Sequence, residues 1–115
     1  MNDTRHTRLL YLGTLALIIL LALFLRSYRI SDIPAGIYPD EAVNAADATY
    51  AHRTGDYLLF YENNYGREGL FINLQALALK AFGNTIPALK LWSIVFGTLT
   101  VWGMYLLGSE LFRRR

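Results

Sequence analysis

The residues best suited to chemistry lie in the middle of the chain. Pro39-Asp40-Glu41 puts two carboxylates side by side. Asp40, Asn44 and Asp47 follow at i, i+4 and i+7, so a helix would carry them on one face. A carboxylate held at a membrane boundary and partly desolvated has a raised pKa and suits a general base. The same oxygens can ligate a divalent metal. The same pattern also fits acidic residues in the first turn of a solvated helix, favoured by its dipole.

A second group is Tyr65-Gly66-Arg67-Glu68-Gly69. The flanking glycines let a backbone come close to a ligand. Arg67 offers a two-pronged fork for phosphate or carboxylate, and an ordinary Arg67–Glu68 surface pair is the alternative. Lys80 and Lys90 flank Gly83-Asn84-Thr85, where either can meet a lipid phosphate or simply reach toward water. His6 and His52 have no partner at metal-ligand spacing. There is no phosphate-binding glycine loop, G-x-S-x-G elbow or H-E-x-x-H.

The elements that must position these residues follow from the apolar pattern. Residues 9–25 and 91–109 contain no charged side chain. The first run, about 25 Å as a helix, spans a bilayer core if Arg8 and Arg26 reach outward. It is long for a signal peptide and no small-residue cleavage site follows, so an uncleaved anchor over 9–27 is expected. The second spanning helix is expected over 86–109, with Pro87 in its first turn and Trp92, Trp102 and Tyr105 toward its ends. Gly13, Gly97 and Gly103 would let helices approach.

Between these runs lies an expected extracytoplasmic loop, 28–85, carrying most of the acidic residues. Pro34 to Pro39 reads as a turn-rich lead-in. A helix is expected over 40–54, ending at Gly55. Tyr57 to Tyr61 suits a short extended piece, and Asn63 to Gly66 a turn. A second helix is expected over 69–82. Its Leu70, Leu74, Leu77 and Ala81 form an apolar stripe opposite Asn73 and Lys80, as in a helix lying in the membrane interface, with a buried short span in a larger bundle as the alternative.

The composition agrees. Charged residues make up 17% of the 115, against about 25% in soluble domains. Cysteine is absent, which excludes a disulfide scaffold and a thiolate zinc site. Eleven Lys/Arg against nine Asp/Glu is too balanced for a nucleic-acid partner. Arg5 and Arg8 before the first run and Arg113-Arg114-Arg115 after the second favour two spans, with 1–8 and the basic 110–115 end both cytoplasmic. The expected fold is thus an all-α membrane protein. Two transmembrane helices are joined by an extracytoplasmic loop with two juxtamembrane helices.

The order of motifs is familiar. Tyr38-Pro39-Asp40-Glu41-Ala42 is followed by Asp47-Ala48 and Gly55-Asp56-Tyr57. Then come Tyr65-Gly66-Arg67-Glu68-Gly69-Leu70-Phe71, Phe82-Gly83-Asn84-Thr85, Ala88-Leu89-Lys90-Leu91 and Tyr105-Leu106-Leu107-Gly108. From about residue 9 to the end, the chain resembles the N-terminal part of integral-membrane GT-C glycosyltransferases. The protein O-mannosyltransferase and lipid A aminoarabinose transferase types are the most similar.

That resemblance implies an inverting transfer of sugar from a polyprenyl-phosphate donor to a protein, lipid or glycan acceptor, in a bacterial or archaeal plasma membrane. It implies a catalytic role for Asp40, with Glu41 beside it, and donor-phosphate contacts from Arg67 and Lys90. Where relatives carry a proline-containing stretch, this chain has Gly66 to Gly69. Lys90 stands where relatives have arginine, keeping the charge and losing the fork. No cofactor is implied with certainty, and a divalent metal is an option. The implied partners are the lipid-linked donor, membrane lipids and the remaining helices of a larger enzyme. On this reading the chain is a fragment or truncated product, inactive alone. The alternative function is a small non-catalytic membrane protein that binds lipid headgroups or a membrane partner. A polyprenyl-phosphate flippase subunit is a third option, disfavoured because neither span carries a carboxylate in its apolar run.

Overall fold

The computed structural model describes residues 3–32, 37–64 and 66–112. The 33–36 part of the expected lead-in, Tyr65 of the glycine-flanked motif and the terminal Arg113-Arg114-Arg115 lie outside them. Four helices dominate: α1 Asp3–Ser27, α2 Pro39–Thr54, α3 Gly69–Phe82 and α4 Ile86–Leu111. A two-residue antiparallel ladder, β1 Phe60–Tyr61 with β2 Arg67–Glu68, interrupts an otherwise helical chain. The predominantly helical class is as expected, and the ladder is an addition to it. Strands of two residues are too short to display a period-2 pattern, so only the extended piece ending at Tyr61 was legible.

The chain divides into two compact units, Met1–Tyr28 with Ile94–Arg115, and Arg29–Ser93. In the first unit, α1 starts earlier than expected, at Asp3, and α4 runs two residues further, to Leu111. Both contain a stretch long and apolar enough to cross a membrane, Arg5–Ser27 and Ile86–Leu111. Their side chains meet sparingly. Tyr11 and Tyr105 pack with ring centroids 5.8 Å apart. Arg26 turns back to donate to the Ala22 carbonyl at 3.2 Å and lies against Gly97, so it does not reach outward as expected. Gly97 therefore accommodates a side chain, while Gly13 and Gly103 have no neighbour within 4 Å of a would-be Cβ. Leu17, Leu20, Leu25, Met104 and Leu107 are each more than half exposed. Such faces are stable only against lipid or further protein.

The second unit holds a small core. Pro39 opens α2 in its first turn, with Asp40 and Glu41 where the dipole favours anions. Gly55 closes it at φ 79°, a left-handed geometry that glycine adopts without steric cost, and its N–H donates to the Ala51 carbonyl. Gly83 closes α3 with its N–H donating to the Leu79 carbonyl, at a positive φ of 82° but with an extended ψ of 171°. Ala48 and Ala51 of α2 pack on Ile72, Ala76 and Leu79 of α3, with Tyr61 and Ala88 completing the cluster. Ile72, Ala76 and Leu79 repeat at i, i+4 and i+7, the spacing of one helix face. Leu70 and Leu77 of the expected apolar stripe point the other way and are exposed. Thus α3 has two apolar faces, one for the core and one unpartnered.

Candidate functional site

The first turn of α2 is the meeting point of the candidate residues. Asp40 Oδ2 lies 3.7 Å from an Arg67 guanidinium nitrogen. Glu41 Oε2 lies 3.8 Å from Lys90 Nζ. Three separate elements, α2, β2 and α4, therefore bring two adjacent carboxylates to two cations. The ladder makes the first pair possible, since it pins Arg67 opposite Tyr61. The Tyr61 hydroxyl is in turn tied to α3 through Asn73. The second pair depends on the approach of α4 to α3. There the Trp92 indole donates to the Leu74 carbonyl at 2.6 Å, and Gln75 donates to the Leu89 carbonyl at 3.0 Å.

The two pairs differ in environment. The Asp40 side chain is 83% exposed and that of Arg67 45%. Both ion-pair distances exceed the usual hydrogen-bond range, and the exposed Asp40–Arg67 contact is screened by water. Lys90 is only 13% exposed. Its ammonium lines a cavity of about 50 Å³ together with Glu41, Asn44, Phe71 and Gln75. Glu41 Oε2 and Gln75 Oε1 are buried there without a hydrogen-bond donor among the described residues. The arrangement offers a cation, two acceptors and an apolar wall, suited to a small polar group on an apolar chain.

The partial desolvation expected for Asp40 falls on Asp47 instead. Asp47 is 7% exposed, and burial pushes its carboxyl up from the usual range. The i, i+7 spacing correctly puts Asp40 and Asp47 on one face, but only the Asp47 end of it is covered. The glycines also serve the chain itself. Gly66 takes a positive φ of 74° with the Phe60 ring against it. A Cβ on Gly69 would collide with the Leu58 carbonyl oxygen. Their role as an approach to a ligand is therefore replaced by packing of the ladder against the start of α3. Lys80 is exposed on α3, away from the Glu41–Lys90 pair. Asn73, read only as a polar-face residue, holds the Tyr61 hydroxyl and the Leu58 carbonyl.

Among the described residues, no group of three or more His, Asp or Glu side chains is placed to hold a metal. Comparison with protein families, with curated proteins and with solved structures finds no match.

Proposed function

We propose that this chain supplies the first loop of an inverting membrane glycosyltransferase that uses a polyprenyl-phosphate sugar donor. α1 and α4 cross the membrane with both termini cytoplasmic, and 28–85 forms the extracytoplasmic loop. Asp40 takes the proton of the acceptor hydroxyl as its oxygen bonds to the anomeric carbon. The bond from that carbon to the phosphate breaks on the opposite face, and polyprenyl phosphate leaves with the electron pair. Arg67 and Lys90 stabilise the phosphate charge. What carries this reading is the convergence of Asp40 and Glu41 with Arg67 and Lys90 from three elements. The exposed stripe at Leu70 and Leu77 supports a donor whose lipid tail stays in the bilayer. A cavity of about 50 Å³ is far below the usual ligand pocket of roughly 300 Å³ or more, so further helices must complete the donor site.

The test is sugar transfer in the membrane-assembled enzyme. Asp40→Asn should lower turnover by roughly 10²- to 10⁴-fold, the usual worth of a general base. Arg67→Ala should weaken apparent donor affinity. Wild-type transfer by Asp40→Asn would leave the second reading, a non-catalytic protein binding lipid headgroups. The exposure of Asp40 favours that alternative.

A further inference from the structure

A second polar site lies farther along α2. Asp47, Tyr50, Leu58, Phe60, Tyr61 and Glu62 line a groove of about 560 Å³. It is separate from the Asp40 and Glu41 pairs, since seven residues of helix carry Asp47 about 10 Å along α2 from Asp40. Asp47 is more than nine-tenths buried, and its Oδ2 has no hydrogen-bond partner among the described residues. The Tyr61 hydroxyl, which lines the same groove, is already committed. Tyr61 donates to Asn73 at 2.7 Å and accepts from the Leu58 N–H at 3.4 Å. Glu62 adds a second carboxylate, and among the described residues no Lys, Arg or His lines the groove.

A buried carboxylate oxygen without a partner is costly, and the chain retains it beside the groove. We infer that this groove binds a ligand bearing a primary ammonium group, with Asp47 as the counter-ion. The exposed rings of Tyr50 and Phe60 offer π faces to the same cation. A neutral polyol would satisfy the oxygen and leave the charge uncompensated. Among the described residues, no group of three or more His, Asp or Glu side chains is placed there to hold a metal. Burial raises the pKa of the Asp47 carboxyl, and an ammonium seated beside it would pull that pKa back down. The ammonium has two chemical sources, the ethanolamine headgroup of a phospholipid or a soluble amine. The site stands whether or not Asp40 is a catalytic base.

The test uses the whole chain in phosphatidylcholine nanodiscs, with the backbone amide signals of Asp47, Tyr50 and Phe60 as reporters. Ethanolamine is titrated in solution, and separately phosphatidylethanolamine is added to the bilayer. Saturable shifts with ethanolamine alone identify a soluble amine, and shifts with the lipid identify the headgroup; either supports the site. Asp47→Asn should weaken binding by at least about tenfold. Tyr50→Leu, which leaves the carboxylate in place, should weaken it about threefold. Helicity measured by circular dichroism checks that each variant folds. No response to either amine, equal binding by folded Asp47→Asn, or equal binding of uncharged ethylene glycol would overturn the proposal.

Discussion

The Tyr61 hydroxyl donates a 2.7 Å hydrogen bond to Asn73 Oδ1, and through it the two-stranded ladder is fastened to α3. Arg67 is the cross-strand partner of Tyr61, so this one bond also sets where the guanidinium meets Asp40. Tyr61→Phe removes the donor and leaves the Asn73 oxygen short of a partner. A loss of about 1–2 kcal/mol is expected in denaturant unfolding. Because Arg67 is positioned through the same bond, the proposed function predicts that donor affinity falls as well. A variant as stable as wild type would show that the bond does not hold the ladder.

The two apolar faces of α3 should respond differently to truncation. Ile72 is 1% exposed and sits in the core, so Ile72→Ala should cost about 2–5 kcal/mol. Leu70 is 74% exposed, so Leu70→Ala should change unfolding by less than about 0.5 kcal/mol. Leu70→Ala should instead lower partition of the chain into lipid vesicles. Comparable unfolding losses for the two variants would contradict the assignment of faces.

Gly69 has no room for a side chain, because a Cβ would meet the Leu58 carbonyl oxygen. The Gly69 N–H also donates to the Leu59 carbonyl at 2.8 Å, which holds that backbone in place. Gly69→Ala must push the ladder away from the start of α3, at about 1–3 kcal/mol. Gly55→Ala meets no atom and differs only in its left-handed φ, so its penalty should be about 1 kcal/mol. Thermal unfolding of both variants in one detergent measures the contrast.

Asp47 makes stability depend on pH in a defined direction. Burial raises its carboxyl pKa in the folded chain above the unfolded value. Its contribution is therefore most favourable below the unfolded pKa and is lost as pH rises through the raised folded one. Asp47→Asn removes that dependence. The variant should melt higher than wild type at neutral pH, and the gap should shrink on acidification toward pH 4. A gap that stays constant with pH would mean that Asp47 does not titrate in this way.

Much of the secondary structure was legible from local signals. Pro39 and Gly55 bound α2, Gly83 ends α3, and the uncharged runs mark α1 and α4, because caps and apolar length act within a few residues. The pairing of the candidate groups was only partly legible. Nothing local joins Asp40 to Arg67 or Glu41 to Lys90, since those contacts depend on how the ladder and the start of α4 return to α2. Spacing placed Asp40 and Asp47 on one helix face but carried no information on which would lose its water. That was decided by tertiary packing. Tyr61 and α3 close over the Ala48 and Ala51 stretch of α2, burying Asp47 while Asp40 stays in solvent. The glycines illustrate the same division. Their lack of a Cβ is a property of the sequence, but only the fold shows that Phe60 and Leu58 occupy the space it frees.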